Sequence, residues 1–166
     1  METIRTYTNT KCELEMAKTR LNLLMDRKEQ LYAKYFPITQ QIKDDITTGG
    51  KKDNDKMAMY VYELNEVDIG TGRSLAQEIE YQRAVVDNIK RYLNEMTETL
   101  SKMRGIEHAL YYEIVVNGVN TTRAVSNIAE RYNKDDQTVW KYHYKKIKDN
   151  VKKLKMYSES TVNLLV

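Results

Sequence analysis

Apolar residues recur at intervals of three and four along most of this chain, the spacing that gathers side chains on one face of a helix. In the N-terminal part Leu14, Ala17, Leu21, Leu24, Leu31, Tyr35, Ile38 and Ile42 keep that rhythm, interrupted only by Lys28, which makes a heptad pattern. Pro37 falls inside the run. It removes a backbone donor and crowds the carbonyl four residues earlier, so a kink or break is expected near Phe36, with the rhythm resuming afterwards. Residues 47–55, TTGGKKDND, have the glycine pair and polar cluster of a surface loop, with Asp55 placed to cap the next helix.

A second heptad run follows. Leu75, Ile79, Val86, Ile89, Leu93, Met96, Leu100 and Met103 are evenly phased, with Gln82 in the one missing place. Upstream, Met57, Tyr60, Val61, Leu64 and Val67 form an apolar helical face, separated from the heptads by Gly70, Thr71 and Gly72. Each glycine costs a helix interior about 1 kcal/mol relative to alanine. The pattern favours one long helix bent at the glycines, with a break as the alternative. The two long helices then fold back as an antiparallel hairpin. Two helices alone bury little surface, so either a second chain covers the open stripe or the stripes pair with each other and with the C-terminal helices. Sustained heptads suggest a homodimer through Leu14, Leu21, Leu24, Leu31, Leu75, Ile79, Ile89 and Leu93.

From Gly105 the pattern changes to shorter helices. Ile106, Ala109, Leu110, Ile114 and Val115 make one apolar side, ended by Asn117 and Gly118 through the left-handed cap that glycine permits. Val125, Ile128, Ala129 and Tyr132 then share a face, Asn133 and Lys134 interrupt it, and Asp135 stands where a helix N-cap is wanted. This is the punctuation of a helix-turn-helix, with small Ala129 where two helices cross closely. The second helix begins at Asp136. Trp140, Tyr144, Ile147, Val151 and Leu154 form its apolar stripe with Val139 alongside, while Gln137, Lys141, Lys145, Lys148 and Lys152 form a separate, solvent-facing one.

That second stripe is the candidate chemistry of the chain. In a helix-turn-helix the N-terminal part of the second helix enters the major groove, so Gln137, Thr138 and Lys141 are candidates for base edges. Arg123, Lys134, Lys145, Lys148 and Lys152 are candidates for phosphate, where a cation adds affinity without sequence information. Composition agrees with a helical reading: one proline, six glycines, and 31% charged residues suit long exposed helices. The net charge of +3 conceals an asymmetry that matters more. Residues 1–100 carry 15 Lys and Arg against 17 Asp and Glu, and residues 101–166 carry 12 against 7, so the basic end is the end with the motif.

Ala129, Glu130, Arg131 and Tyr132, the turn at Asn133 and Lys134, the cap at Asp135 and the pair Thr138 and Val139 resemble the region 4 helix-turn-helix of bacterial sigma factors. The whole chain resembles the small sigma-like regulators of Gram-positive phages, the RinA and ArpU kind. That resemblance implies transcriptional activation or late-gene control of a phage or prophage operon. The N-terminal hairpin is expected to serve self-association or contact with RNA polymerase, and the lack of a membrane span or signal-peptide core leads to the expectation of a bacterial cytoplasmic location. Asn133 in place of the usual turn glycine is a departure that a left-handed asparagine can accommodate.

No phosphate-cradling Gly-Lys-Ser/Thr loop, dinucleotide fingerprint, nucleophile elbow or metal-binding histidine pair occurs, and no cofactor is called for. His108 is expected at the surface, and His143 is expected to pack or meet phosphate. Single Cys12 is expected to be a passive thiol. No run approaches a membrane span. The expected chain is therefore an all-α non-enzyme: a helical hairpin over residues 1–103, a three-helix helix-turn-helix domain over 104–156, and a tail over 157–166. Its expected partner is double-stranded DNA. A phage small terminase subunit binding a packaging site and a helical adaptor acting by protein contact are the competing readings.

Overall fold

The computed structural model describes residues 1–37 and 50–163. Among the described residues the fold is all-α apart from one very small antiparallel hairpin. Helix α1 runs Glu2–Tyr35, α2 Gly50–Asn65, and α3 Leu75–Lys102; between α2 and α3 lie β1 (Val67–Asp68) and β2 (Arg73–Ser74). Helix α4 (Ile106–Tyr111) continues into a π-helical turn, Tyr112–Val116, and α5 spans Thr121–Arg131. The last element starts as α6 (Asp136–Thr138), widens into a second π-helical turn at Val139–Tyr144, and ends as α7 (Lys145–Asn163). The chain divides into two compact units: residues 1–16 with 87–166, and residues 17–86.

In the unit of residues 17–86, the heptad phasing correctly marks which side chains turn inward. Ile79 and Val86 are buried, as is Gln82, whose side-chain amide donates to the Ala17 carbonyl at 3.1 Å. A polar residue can occupy that heptad place because its donor is satisfied there. The Arg20–Glu78 ion pair at 3.2 Å, together with the Gln82–Ala17 bond, fixes an antiparallel course for α1 and α3 within this unit. α1 stops at Tyr35, just before Pro37, and the Phe36 amide still reaches the Tyr32 carbonyl at 2.9 Å. Ile38, Ile42 and residues 47–49 lie outside the described residues.

Three expectations for this unit need correction. Asp55 does not cap α2, which begins five residues earlier at Gly50. Gly70, Thr71 and Gly72 do not bend one long helix; they make a true break, a hairpin pairing Val67 with Ser74 and Asp68 with Arg73. Gly72 sits at φ +66, and Asp68 Oδ1 accepts the amides of Gly70 at 2.7 Å and Thr71 at 3.0 Å. Those bonds hold the Asp68 carboxyl below its usual range, the Thr71 amide most of all. The hairpin then serves as a helix start, since Ser74 Oγ accepts from the Gln77 amide and the Gln77 side chain accepts from the Ser74 amide, a capping box. Third, the upstream apolar face is only partly covered: Tyr60 is buried, but Met57, Val61 and Val67 are exposed.

The other unit is built around the C-terminal helices, and its limits differ from the boundary expected at residue 103. Ile4, Tyr7 and Thr8 at the start of α1 are buried, and so are Leu93, Met96 and Leu100 of α3. The first turns of α1 contact α4 directly. The rings of Tyr7 and Tyr111 meet edge to face at 6.0 Å, and Lys153 of α7 donates to Asn9 at 2.9 Å. The three-helix domain is thus completed by two further helical segments, the start of α1 and the end of α3. α7 also continues through Asn163, so residues 157–163 extend the helix where a separate tail is expected.

Of the side chains expected at a dimer contact, Leu14, Ile79 and Leu93 are buried within the single chain. Leu21, Leu24, Leu31, Leu75 and Ile89 are half-buried. Among the described residues, no helix is long and apolar enough to cross a membrane.

Candidate nucleic-acid interface

Helix α5 is set in place by punctuation at both ends. Gly118 adopts φ +66 after the π turn, and the Val119 amide returns to the Glu113 carbonyl at 2.9 Å. The Asn120 side chain then caps α5, accepting from the Thr122 amide at 2.9 Å. Ala124, Val125, Ile128 and Ala129 are fully or almost fully buried along one face. At the far end Asn133 takes φ 49, and the Lys134 amide reaches back to the Ala129 carbonyl at 2.9 Å. This left-handed stop uses an asparagine, and it satisfies a carbonyl the helix end would leave open.

The next helix begins at once. Asp135 Oδ1 accepts the Thr138 amide at 2.7 Å and Oδ2 accepts the Thr138 hydroxyl at 2.6 Å; these bonds, the hydroxyl one first, lower the Asp135 pKa. Asp136 accepts the Ser126 hydroxyl at 2.6 Å and so ties the second helix to the first. Both acidic residues at the entrance of the helix therefore have structural work. Thr138 is also committed: its hydroxyl hydrogen is directed at Asp135 and its side chain is half-buried, which removes it as a hydrogen donor to a base.

The π turn at Val139–Tyr144 sets the helix's rotational register. Val139, Ile147 and Val151 are essentially fully buried. Val139 and Ile147 are eight residues apart, whereas two α-helical turns return to phase after about seven. A turn closed by i→i+5 bonding absorbs about one extra residue and brings Val139 into line with Ile147. The regular 3.6-residue pattern selects Trp140 for the core instead. Trp140 is only half-buried, with its ring edge to face against Tyr144 at 4.8 Å. Tyr144 and Leu154 are half-buried as well.

On the outer side Gln137, Lys141, Lys145, Lys148 and Lys152 are all exposed, as are Arg123 on α5 and Lys134 in the turn. The Lys141 ammonium lies 5.4 Å from the ring centre of exposed Tyr142. Two other lysines of the same helix have different duties: Lys153 bonds Asn9, and Lys146 pairs with Glu107 at 2.7 Å. Glu107 also meets His143 Nδ1 at 3.1 Å. Burial alone would raise the Glu107 pKa, but the Lys146 and His143 hydrogen bonds outweigh it and hold it at about 2. His143 is thus an inward fastener between α4 and the helix that starts at Asp136, a role carried by Glu107 thirty-six residues upstream and invisible in local spacing.

His108 departs from its expected surface position. Its Nε2 is buried without a hydrogen-bond partner among the described residues, and burial, then the charge of the chain's amino terminus, lowers its pKa. Cys12 is buried, and its thiol pKa is raised, chiefly by burial. Among the described residues no His, Cys, Asp or Glu side chains gather as a metal site. No protein-family model, curated protein or solved structure matches the chain.

Proposed function

We propose that this chain is a DNA-binding transcriptional regulator of the phage or prophage kind, reading the major groove of double-stranded DNA with the helix that starts at Asp136. One observation carries the reading. The side chains of Gln137, Lys141, Lys145, Lys148 and Lys152 are exposed on a helix whose opposite side is anchored by Val139, Ile147 and Val151. The left-handed Asn133 turn and the Asp135 cap join that helix closely to α5, the arrangement a helix-turn-helix needs to present its second helix. In this reading Gln137 and Lys141 meet base edges, where glutamine pairs with adenine and lysine donates to guanine. Arg123, Lys134, Lys145, Lys148 and Lys152 meet phosphates. A homodimer and a contact with RNA polymerase belong to the same proposal. The test is selection of bound duplexes from a random pool. A recovered motif that changes with Gln137→Ala or Lys141→Ala supports the reading, and recovery of unbiased sequence rejects it.

A second reading, the protein-binding adaptor, is favoured by α2, where Met57, Met59, Val61 and Tyr62 are all exposed. Methionine-rich apolar surface is common where proteins meet adaptable partners. Under that reading Met59→Lys with Tyr62→Ser abolishes the chain's activity in its host while leaving DNA binding intact.

A further inference from the structure

A cleft of about 500 Å³ opens on the unit of residues 1–16 and 87–166, bounded by the end of α3, the non-helical residues 103–105, α4 with its π turn, and the end of α5. Its size lies within the range of small-molecule sites. Lys102, Arg104 and Arg131 all line it, opposed by the single carboxylate of Glu113. Glu113 is already shared: Arg131 approaches it at 3.5 Å, and the Asn117 amide donates to it at 3.2 Å. The Lys102 and Arg104 side chains are exposed and have no bonding partner among the described residues. Cations gathered around one concavity repel one another, and an anion entering it relieves that repulsion. The walls are firm, because Tyr132 donates its hydroxyl to the Arg104 carbonyl at 3.1 Å and so fixes the linker against the end of α5. Tyr112 supplies a second, half-buried aromatic wall.

We propose that this cleft binds a small polyanionic molecule bearing a phosphate group, held by Lys102, Arg104 and Arg131. Arginine suits the task because its planar fork of donors matches phosphate oxygens two at a time, while lysine adds a point charge. A bound anion joins α3, the linker and the end of α5. The site is independent of the reading helix: it shares none of Gln137, Lys141, Lys145, Lys148 or Lys152, and it stands whether or not the chain binds DNA.

The experiment is calorimetric titration of the full chain with inorganic pyrophosphate at fixed low ionic strength. It compares the natural protein with Lys102→Ala/Arg104→Ala and with Lys141→Ala/Lys145→Ala, and circular dichroism verifies that both variants are folded. One saturable site is expected, weakened roughly tenfold or more in the first variant, since two charged hydrogen-bond donors are lost, and unchanged in the second. Citrate, a polyanion without phosphate, is expected to bind more weakly. Absence of saturable binding would overturn the proposal. So would binding that disappears with Lys141 and Lys145 but survives loss of Lys102 and Arg104. Loss of duplex affinity in Lys102→Ala/Arg104→Ala without any pyrophosphate site would also overturn it, assigning these cations to the DNA backbone instead.

Discussion

Tyr111 donates its phenolic hydrogen to Thr8 Oγ1 over 2.7 Å, because the single hydroxyl hydrogen of Thr8 is already given to the Ile4 carbonyl at 2.8 Å. Both side chains are buried, and burial is the main cause of the strongly raised Tyr111 pKa. One bond thus ties the first turns of the chain to α4. Tyr111→Phe is expected to cost about 1–2 kcal/mol in urea unfolding, and Ile4→Ala about 2–4 kcal/mol. An unchanged unfolding midpoint in both variants would mean that α1 is dispensable to this unit.

Glu107 gives the same unit a defined acid sensitivity. Its pKa is depressed in the fold, from 4.5 to about 2. The stabilisation is therefore fully present above pH 4.5, where the unfolded chain also ionises, and it is lost as pH falls towards about 2. Glu107→Gln is expected to lower stability at pH 7 by about 1–3 kcal/mol, the range for charged hydrogen bonds. It also flattens the decline of stability between pH 4.5 and about 2, measured by urea titration at a series of pH values. An equally steep decline in the variant would place the acid sensitivity elsewhere.

The π turn makes a sharper demand on the helix that starts at Asp136. Deleting exposed Tyr142 shortens the Val139 to Ile147 spacing to an α-helical repeat, so the core contacts of both residues can survive. Inserting an alanine at the same place pushes them further out of phase. The deletion is expected to remain cooperatively folded, whereas the insertion loses burial of Val139 at a cost of about 2 kcal/mol or more. Equal melting temperatures for the two would contradict the register argument.

The helix junction is a test of backbone strain. Asn133 stands at φ 49, a conformation in which glycine has no side-chain penalty. Asn133→Gly is expected to be neutral or slightly stabilising, and Asn133→Val to cost about 1–2 kcal/mol. Gly118, at φ +66 with open space where a Cβ would stand, is expected to lose a similar amount on substitution by alanine, through strain alone. Thermal melts of the three variants decide it.

Much of the helical architecture is legible in the spacing of apolar residues, because that spacing and burial have the same physical cause. The heptads of α3 place Ile79, Val86, Leu93, Met96 and Leu100 inside, and Asp135 and Gly118 announce helix boundaries by chemistry that operates locally. The failures share a different cause. The Val139 for Trp140 exchange needs a π turn, which no fixed period describes. Gly70 and Gly72 favour a bend over a break until Asp68 is seen to cap the turn. The heptads alone do not reveal that Leu14, Ile79 and Leu93 are buried within one chain while Leu21, Leu24, Leu31, Leu75 and Ile89 stay half-buried. In the candidate interface, exposure of Gln137, Lys141, Lys145, Lys148 and Lys152 follows from periodicity. The fastening roles of Lys146, Lys153 and His143 do not, since their partners are distant in sequence.

In the proposed function, the exposed cations of the helix that starts at Asp136 and of its neighbours meet DNA phosphates. The most direct test of that contact is the salt dependence of full-chain affinity for duplex DNA, followed by fluorescence anisotropy. If Arg123, Lys134, Lys145, Lys148 and Lys152 all contact phosphate, log affinity falls against log salt with a slope of roughly −4 to −5 per chain. Replacing Lys145, Lys148 and Lys152 by alanine then reduces that slope by up to about 3. A duplex affinity indifferent to salt, or one whose slope survives the triple substitution unchanged, would contradict the account.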